Sequence, residues 1–137
     1  MISKTTMIGP RAIVFEAAKL MRENRIGSVV VVNGGSGEVL GIITERDLVR
    51  RVLAENKDVM TVKVSDVMTT PVVSIAPNED IVDAAQLMRK NEIRRLVVME
   101  GGKLIGIITA NDIANNMKQA VDEFATALYL MGQRTRR

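Results

Sequence analysis

Two short tracts set a hydroxyl and a carboxylate at one spacing: Thr44-Glu45-Arg46-Asp47 and Thr109-Ala110-Asn111-Asp112. Each follows a Gly-Ile-Ile run and precedes a helical pattern. That is the arrangement of a capping box, in which the Thr oxygen and the Asp carboxylate satisfy free backbone N–H groups. A helix N-terminus also presents unpaired N–H groups and partial positive charge, so the same turn can receive polar or anionic groups of a ligand. A carboxylate is a poor neighbour for phosphate, and an anionic ligand needs positive charge from elsewhere. Arg94-Arg95 is the candidate; its plainer reading is a solvated pair at a strand edge.

Other chemistry is scarce. The chain holds no Cys and no His, so it lacks a disulfide framework, the usual ligands of zinc, haem and iron–sulfur clusters, the commonest general base and the thiol nucleophile. No clustered acid–base pair or metal constellation is evident, and no enzymatic activity is expected. Gly34-Gly35-Ser36-Gly37 lacks the following Lys-Ser/Thr of a phosphate loop and lies between two strand patterns, so it reads as a flexible turn. The nine Met residues read as core filler. Net charge is a modest +3, with the excess gathered at Arg134, Arg136 and Arg137. A solvated chain end is the expected reading of that cluster, and nucleic acid is not an expected partner because aromatics are few. The longest pure aliphatic run is Val29 to Val32, too short to cross a membrane, and a soluble cytoplasmic protein is expected.

The elements that position these residues are themselves written twice. Ala17-Ala18, Leu20-Met21-Arg22, Asn24 and Ile26 return as Ala84-Ala85, Leu87-Met88-Arg89, Asn91 and Ile93. Val14, Ala17, Ala18 and Met21 share one helical face, and Ile81, Ala84, Ala85 and Met88 repeat it. Val29 to Val32 and Leu96 to Met99 are β-branched-rich runs of the kind buried on both faces of a sheet. Gly-rich turns then lead into strands over 39–43 and 104–108, followed by helices beginning near Glu45 and Ala110. The first of these helices is predicted to end about Glu55. The second is predicted to break and restart around Met117 to Val121, and to stop at Gly132. Residues 57–66 read as a linker, and Pro71 predicts an extended start to a strand over Val72 to Ile75. The expected organisation is a first repeat over 1–56, a second over 67–119, and a C-terminal helix with basic tail over 120–137.

Asp66-Val67-Met68-Thr69 with Pro71, the Ala-Ala-x-Leu-Met helix, Asn91-Glu92-Ile93-Arg94-Arg95-Leu96-Val97-Val98 and Gly-Ile-Ile-Thr-x-x-Asp together resemble the cystathionine β-synthase (CBS) domain. The likeness covers both copies and is that of a tandem pair, a Bateman module, in a stand-alone protein. It implies an α/β (α+β) fold of two pseudo-twofold-related repeats, each a small β-sheet packed against helices. Copy one lacks the Asp-Val-Met-Thr-x-x-Pro lead-in of copy two.

The resemblance implies two clefts, each combining the Thr and Asp of one copy with residues before the central strand of the other. The main cleft would hold Ile42, Thr44, Arg46 and Asp47 with Pro71, Val72, Val73, Ile93, Arg94 and Arg95. The second would hold Ile107, Thr109, Asn111 and Asp112 with Thr5, Ile26, Gly27 and Ser28. Asp47 and Asp112 would accept ribose hydroxyls, and Thr44 and Thr109 would reach ribose or phosphate oxygens. The implied ligand is an adenosine nucleotide, AMP before ADP or ATP, with no required cofactor. Its binding would regulate an unidentified partner protein. Binding of an S-adenosylmethionine-type compound, or a structural interaction module with degenerate clefts, are the alternatives. A homodimer is expected through the helices after each Gly-Ile-Ile-Thr tract, by way of Leu48, Val49 and Val52 or Ile113 and Met117.

Overall fold

The computed structural model describes residues 5–135. The first repeat runs β1 (Met7–Ile8), α1 (Val14–Asn24), β2 (Ser28–Val32), β3 (Val39–Thr44) and α2 (Glu45–Leu48). A π-helical turn, Val49–Leu53, continues α2. After α3 (Val64–Val67) the second repeat runs β4 (Ser74–Ile75), α4 (Ile81–Asn91), β5 (Arg95–Glu100), β6 (Lys103–Thr109) and α5 (Ala110–Thr135).

The two sheets have one topology, β1-β2-β3 and β4-β5-β6, each with a parallel first pair and an antiparallel second pair. Even their irregularities match: a register shift between Val31 and Val32 recurs between Val98 and Met99. Helices α1 and α4 end alike, on Arg25 and Glu92 in the left-handed conformation. The paired backbone bonds to the preceding turn satisfy carbonyls that a helix end would otherwise leave open.

Alternation along the strands sorts the side chains. Val29, Val31 and Ile43 join Val14, Ala17 and Met21 in one core, while Leu96, Val98 and Ile108 join Ala84, Met88 and Ile113 in another. Val30, Val97 and Ile107 are buried yet belong to neither core. They lie on the sheet faces turned away from the helices, so each sheet is covered on both sides, as the unbroken apolar runs required.

Several elements differ from the sequence expectation. The short strand β1 had no signal of its own, since two residues are held in place mainly by pairing with Val30 and Val31. Helix α2 is only one turn long before the π-helical turn. The strand expected over Val72 to Ile75 shortens to Ser74–Ile75. The break expected in the last helix is absent: α5 is continuous for 26 residues and runs through Gly132. A helical Gly costs about 1 kcal/mol, which neighbouring Ala and Leu residues can absorb. Residues 57–66 are tied to the first repeat: Val14 donates to the Val62 carbonyl at 2.9 Å, Val64 donates to that of Ala12 at 2.8 Å, and Val64 and Val67 are core residues.

Candidate functional site

The first capping tract forms as its residue types require. Thr44 is extended, the Asp47 N–H donates to Thr44 Oγ1 at 3.1 Å, and the Thr44 N–H donates to Asp47 Oδ2 at 3.0 Å. Asp47 is only 6% exposed, so its charge needs further partners. The Thr69 hydroxyl supplies one, sitting 3.0 and 3.1 Å from the two carboxylate oxygens. Arg51 supplies another, with Nε 3.8 Å from Oδ1. The same guanidinium donates through Nη1 to the carbonyls of Val67 and Met68, both at 3.1 Å.

Thr69 is itself held by backbone pairing with Ile42: its N–H donates to the Ile42 carbonyl at 2.8 Å and its carbonyl accepts the Ile42 N–H at 3.1 Å. This seam joins the lead-in of the second repeat to β3. Gly41 permits the approach, because a Cβ there would lie 2.9 Å from the Thr69 carbonyl oxygen and 2.8 Å from Met68 Sδ. One Thr69 proton shared between two carboxylate oxygens leaves Asp47 with unused acceptor capacity.

Around this turn lies a cavity of about 620 Å³, lined from the first repeat by residues including Ile42, Thr44, Arg46 and Asp47 and from the second by Ile93, Arg94 and Arg95. The structure thus brings together the Thr-x-x-Asp turn of one copy and the residues before the central strand of the other. Glu45, Arg50, Arg51, Thr69 and Glu92 also line it. Five guanidiniums, Arg46, Arg50, Arg51, Arg94 and Arg95, face three carboxylates, Glu45, Asp47 and Glu92. Among the described residues only Arg51 of the five is engaged in an ion pair. The other four line the cavity with no side-chain hydrogen bond or ion pair among the described residues, an arrangement that favours an anion and suits phosphate in particular.

Three residues expected in this cleft sit elsewhere. Pro71 and Val72 line a separate hollow of about 360 Å³ with Val39, Leu40, Val97 and Met99, and Val73 packs on the second core. Val73 is drawn to the second repeat by its carbonyl, which accepts the Val97 N–H at 3.1 Å.

The second capping tract closes in the same way, with Thr109 N–H to Asp112 Oδ2 at 2.9 Å and Asp112 N–H to Thr109 Oγ1 at 3.1 Å. Among the described residues Asp112 accepts nothing more, and it is half-buried. Ile107 and Ser28 are buried and Asn111 is exposed. Thr5 Oγ1 is buried without a hydrogen-bond partner among the described residues. Ile26 and Gly27 line a hollow of about 490 Å³ between α1 and α2. Gly27 in fact abuts the Arg-bearing cavity, since a Cβ there would lie 2.7 Å from Glu45 Oε1 and 3.0 Å from Arg95 Nη2.

The sequence reading passed over Arg50, Arg51 and Thr69. Arg50 and Arg51 stand three and four residues after Asp47, a spacing that puts side chains on one helical face and was available as a signal. Thr69 had no such signal, because only its long-range pairing with Ile42 delivers it to Asp47.

A family model for the CBS domain matches the chain twice, at residues 1–54 and 64–119. The CBS domain-containing protein YhcV of Bacillus subtilis (strain 168) is 37% identical over 116 residues, covering 85% of this chain and 81% of its own. Against two other curated relatives the chain spans about half their length, 53% and 50%. Among solved structures, the hexameric CBS-CP12 protein from bloom-forming cyanobacteria superposes with a TM-score of 0.77 at 28% identity, covering 96% of this chain and 84% of that one. A CBS domain protein from Pyrobaculum aerophilum, complexed with AMP, superposes with a TM-score of 0.75 at 23% identity, covering 82% and 85%.

Proposed function

Because this chain belongs to the CBS-domain family, in tandem form, we propose that it is a regulatory module that binds an adenosine nucleotide in the Arg-bearing cleft. The observation that carries the reading is the cluster of Arg46, Arg50, Arg94 and Arg95 around a Thr-x-x-Asp turn, drawn from both repeats. Asp47, with acceptor capacity left, takes the ribose hydroxyls. Thr44 and the N-terminus of α2 lie beside them, and the guanidiniums take the phosphate. The AMP-bound relative from Pyrobaculum supports this ligand class. AMP leads, with ADP and ATP next.

A nucleotide held this way touches both repeats at once. It biases their relative placement only by the difference in its affinity for two arrangements, and that bias is the signal passed to a partner protein. Nothing in the cleft calls for catalysis by the chain itself. No helix is long and apolar enough to cross a membrane among the described residues.

A less charged adenosyl compound of the S-adenosylmethionine type fits the second capping tract better. There Asn111 stands where the first tract has Arg46, and an amide has no phosphate charge to match. Self-association is part of the proposal and is supported by the hexameric relative. Its surface differs from the sequence expectation, because Leu48 and Val52 pack on the first core and Ile113 on the second. Val49 and Leu53 after the first tract, and Met117, Val121, Phe124 and Leu128 after the second, are among the exposed apolar residues of these helices.

The test is calorimetric titration of nucleotide-stripped protein with AMP, ADP, ATP and S-adenosylmethionine, with Arg95→Ala alongside. Micromolar binding of one nucleotide, weakened in the variant, is the expected result. Absence of heat and of thermal stabilisation with all four would favour an interaction module with degenerate clefts.

A further inference from the structure

Glu45, the residue after the capping Thr44, borders two spaces at once: the Arg-bearing cavity and the hollow between α1 and α2. Its backbone N–H donates to the Gly27 carbonyl at 3.0 Å, and the equivalent Ala110 N–H donates to the Arg94 carbonyl at 2.8 Å. The joint is made in both repeats, and Ala110 shows that it needs no carboxylate. Among the described residues the Glu45 carboxylate makes no hydrogen bond or ion pair. What it does face is Arg95. A Cβ on Gly27 would stand 2.7 Å from Glu45 Oε1 and 3.0 Å from Arg95 Nη2, so the two groups come within about 6 Å of each other over the bare Gly27 backbone. Opposite charges that close attract even where water reaches them, and here Glu45 is exposed while Arg95 is half-buried. A side chain at residue 27 would fill this space; the second repeat has one, Arg94, and the first has none. A negative charge that the fold does not use therefore faces a guanidinium on which an anion would settle.

We propose that Glu45 is an internal competitor for the anion site, attracting Arg95 in the ligand-free protein and yielding it to phosphate. The inference rests on the phosphate placement proposed above. A phosphate oxygen that binds Arg95 must push the carboxylate aside, and Glu45 has a way out into the hollow it already borders. The penalty is the same for every phosphate. A nucleotide has further contacts to offset it, since its ribose hydroxyls go to Asp47, whereas a free phosphate ion has only the arginines. Glu45 thus keeps the arginines from filling with inorganic phosphate while leaving them open to a nucleotide.

The test is titration by nuclear magnetic resonance of the nucleotide-stripped wild type, Glu45→Gln, Arg95→Gln and the double variant, with AMP and with inorganic pyrophosphate. Glu45→Gln keeps the size of an exposed side chain and removes its charge, so the fold is retained. Both probes should bind Glu45→Gln about three- to fivefold more tightly than the wild type. In the Arg95→Gln background the same change should gain less than about 1.5-fold, because the competitor has lost what it competes for. Unchanged or weaker affinity in Glu45→Gln would overturn the proposal. So would an equal gain with and without Arg95, which would make Glu45 a general surface charge. A gain for pyrophosphate with no binding of AMP would keep the competitor and overturn the adenosine reading. AMP binding that Glu45→Gln leaves unaltered would do the reverse, and no binding of either probe to any of the four proteins would overturn both.

Discussion

The two repeats share a backbone and differ in charge. Their sheets agree in topology, pairing and register shift, and both Thr-x-x-Asp turns close as capping boxes. Counted from the capping Thr, however, Arg46, Arg50 and Arg51 of the first repeat become Asn111, Asn115 and Asn116 of the second. Across the sheet, Arg95 pairs with Thr109 where Ser28 pairs with Thr44, so Arg94 and Arg95 correspond to Gly27 and Ser28. The cavity around Thr44 therefore collects every one of these arginines, whereas the helix after Thr109 carries asparagines at the positions of Arg46, Arg50 and Arg51. Duplication preserved the scaffold, and specialisation followed on side chains that the scaffold does not need for folding.

The sharpest way to break this comparison is to remove each capping carboxylate in turn. Asp47 holds the Thr44 N–H, the Thr69 hydroxyl and Arg51 in a buried position, whereas Asp112 holds only its own cap. Asp47→Ala should destabilise the protein by about 2–4 kcal/mol and Asp112→Ala by about 1 kcal/mol, measured by urea unfolding. Equal losses would mean that the Thr69 and Arg51 contacts add nothing.

The second test concerns ligand. Removing one charge-assisted hydrogen bond of about 1.5–3 kcal/mol should make Arg95→Ala bind AMP roughly ten- to more than hundredfold more weakly. Ser28→Ala, at the equivalent place, should leave AMP affinity within about twofold. A matched loss in both variants would show that AMP occupies both clefts.

Much of this was legible in the sequence. The repeated Ala-Ala and Leu-Met helices, the Val-rich strands and the capping boxes are local patterns, and local patterns survive translation into structure. Arg94 and Arg95 could be singled out because the ligand class demands positive charge near a carboxylate. What was hidden depends on distant pairing. Strand β1 and the placement of Thr69 rest on hydrogen bonds to residues far along the chain, and Pro71 and Val72 line another hollow with Val97 and Met99 of the distant strand β5. The expected break over Met117 to Val121 is absent for a different reason: no Gly or Pro stands there, and Met, Lys, Gln and Ala are good helix formers, so α5 runs on unbroken.

The seam between Ile42 and Thr69 belongs to the first repeat's cleft and can be tested through Gly41. A methyl group at that position meets backbone, the Thr69 carbonyl oxygen, and not merely the end of a flexible side chain. Gly41→Ala should cost about 1–3 kcal/mol by thermal unfolding and also loosen Thr69 from Asp47. An unaffected melting temperature would show that the seam yields without strain.

The smallest expected effect separates scaffold from charge at one pair of positions. Arg25 and Glu92 cap equivalent helices with φ of 53° in both, a conformation that costs a non-glycine residue about 1–2 kcal/mol. Glycine relieves that cost but loses more entropy on folding, so Arg25→Gly and Glu92→Gly should each stabilise the protein by no more than about 1 kcal/mol. The two backbones being alike, the two gains should agree. Ligand binding should not agree, because Glu92 lines the Arg-bearing cleft and Arg25 does not. Losing an exposed carboxylate near the proposed phosphate site should tighten AMP binding by up to about fivefold in Glu92→Gly and leave it unchanged in Arg25→Gly. Equal stabilisation with unequal affinity is what a conserved scaffold carrying divergent charge must give; a shift of affinity in both variants would mean that the caps set the shape of the cleft.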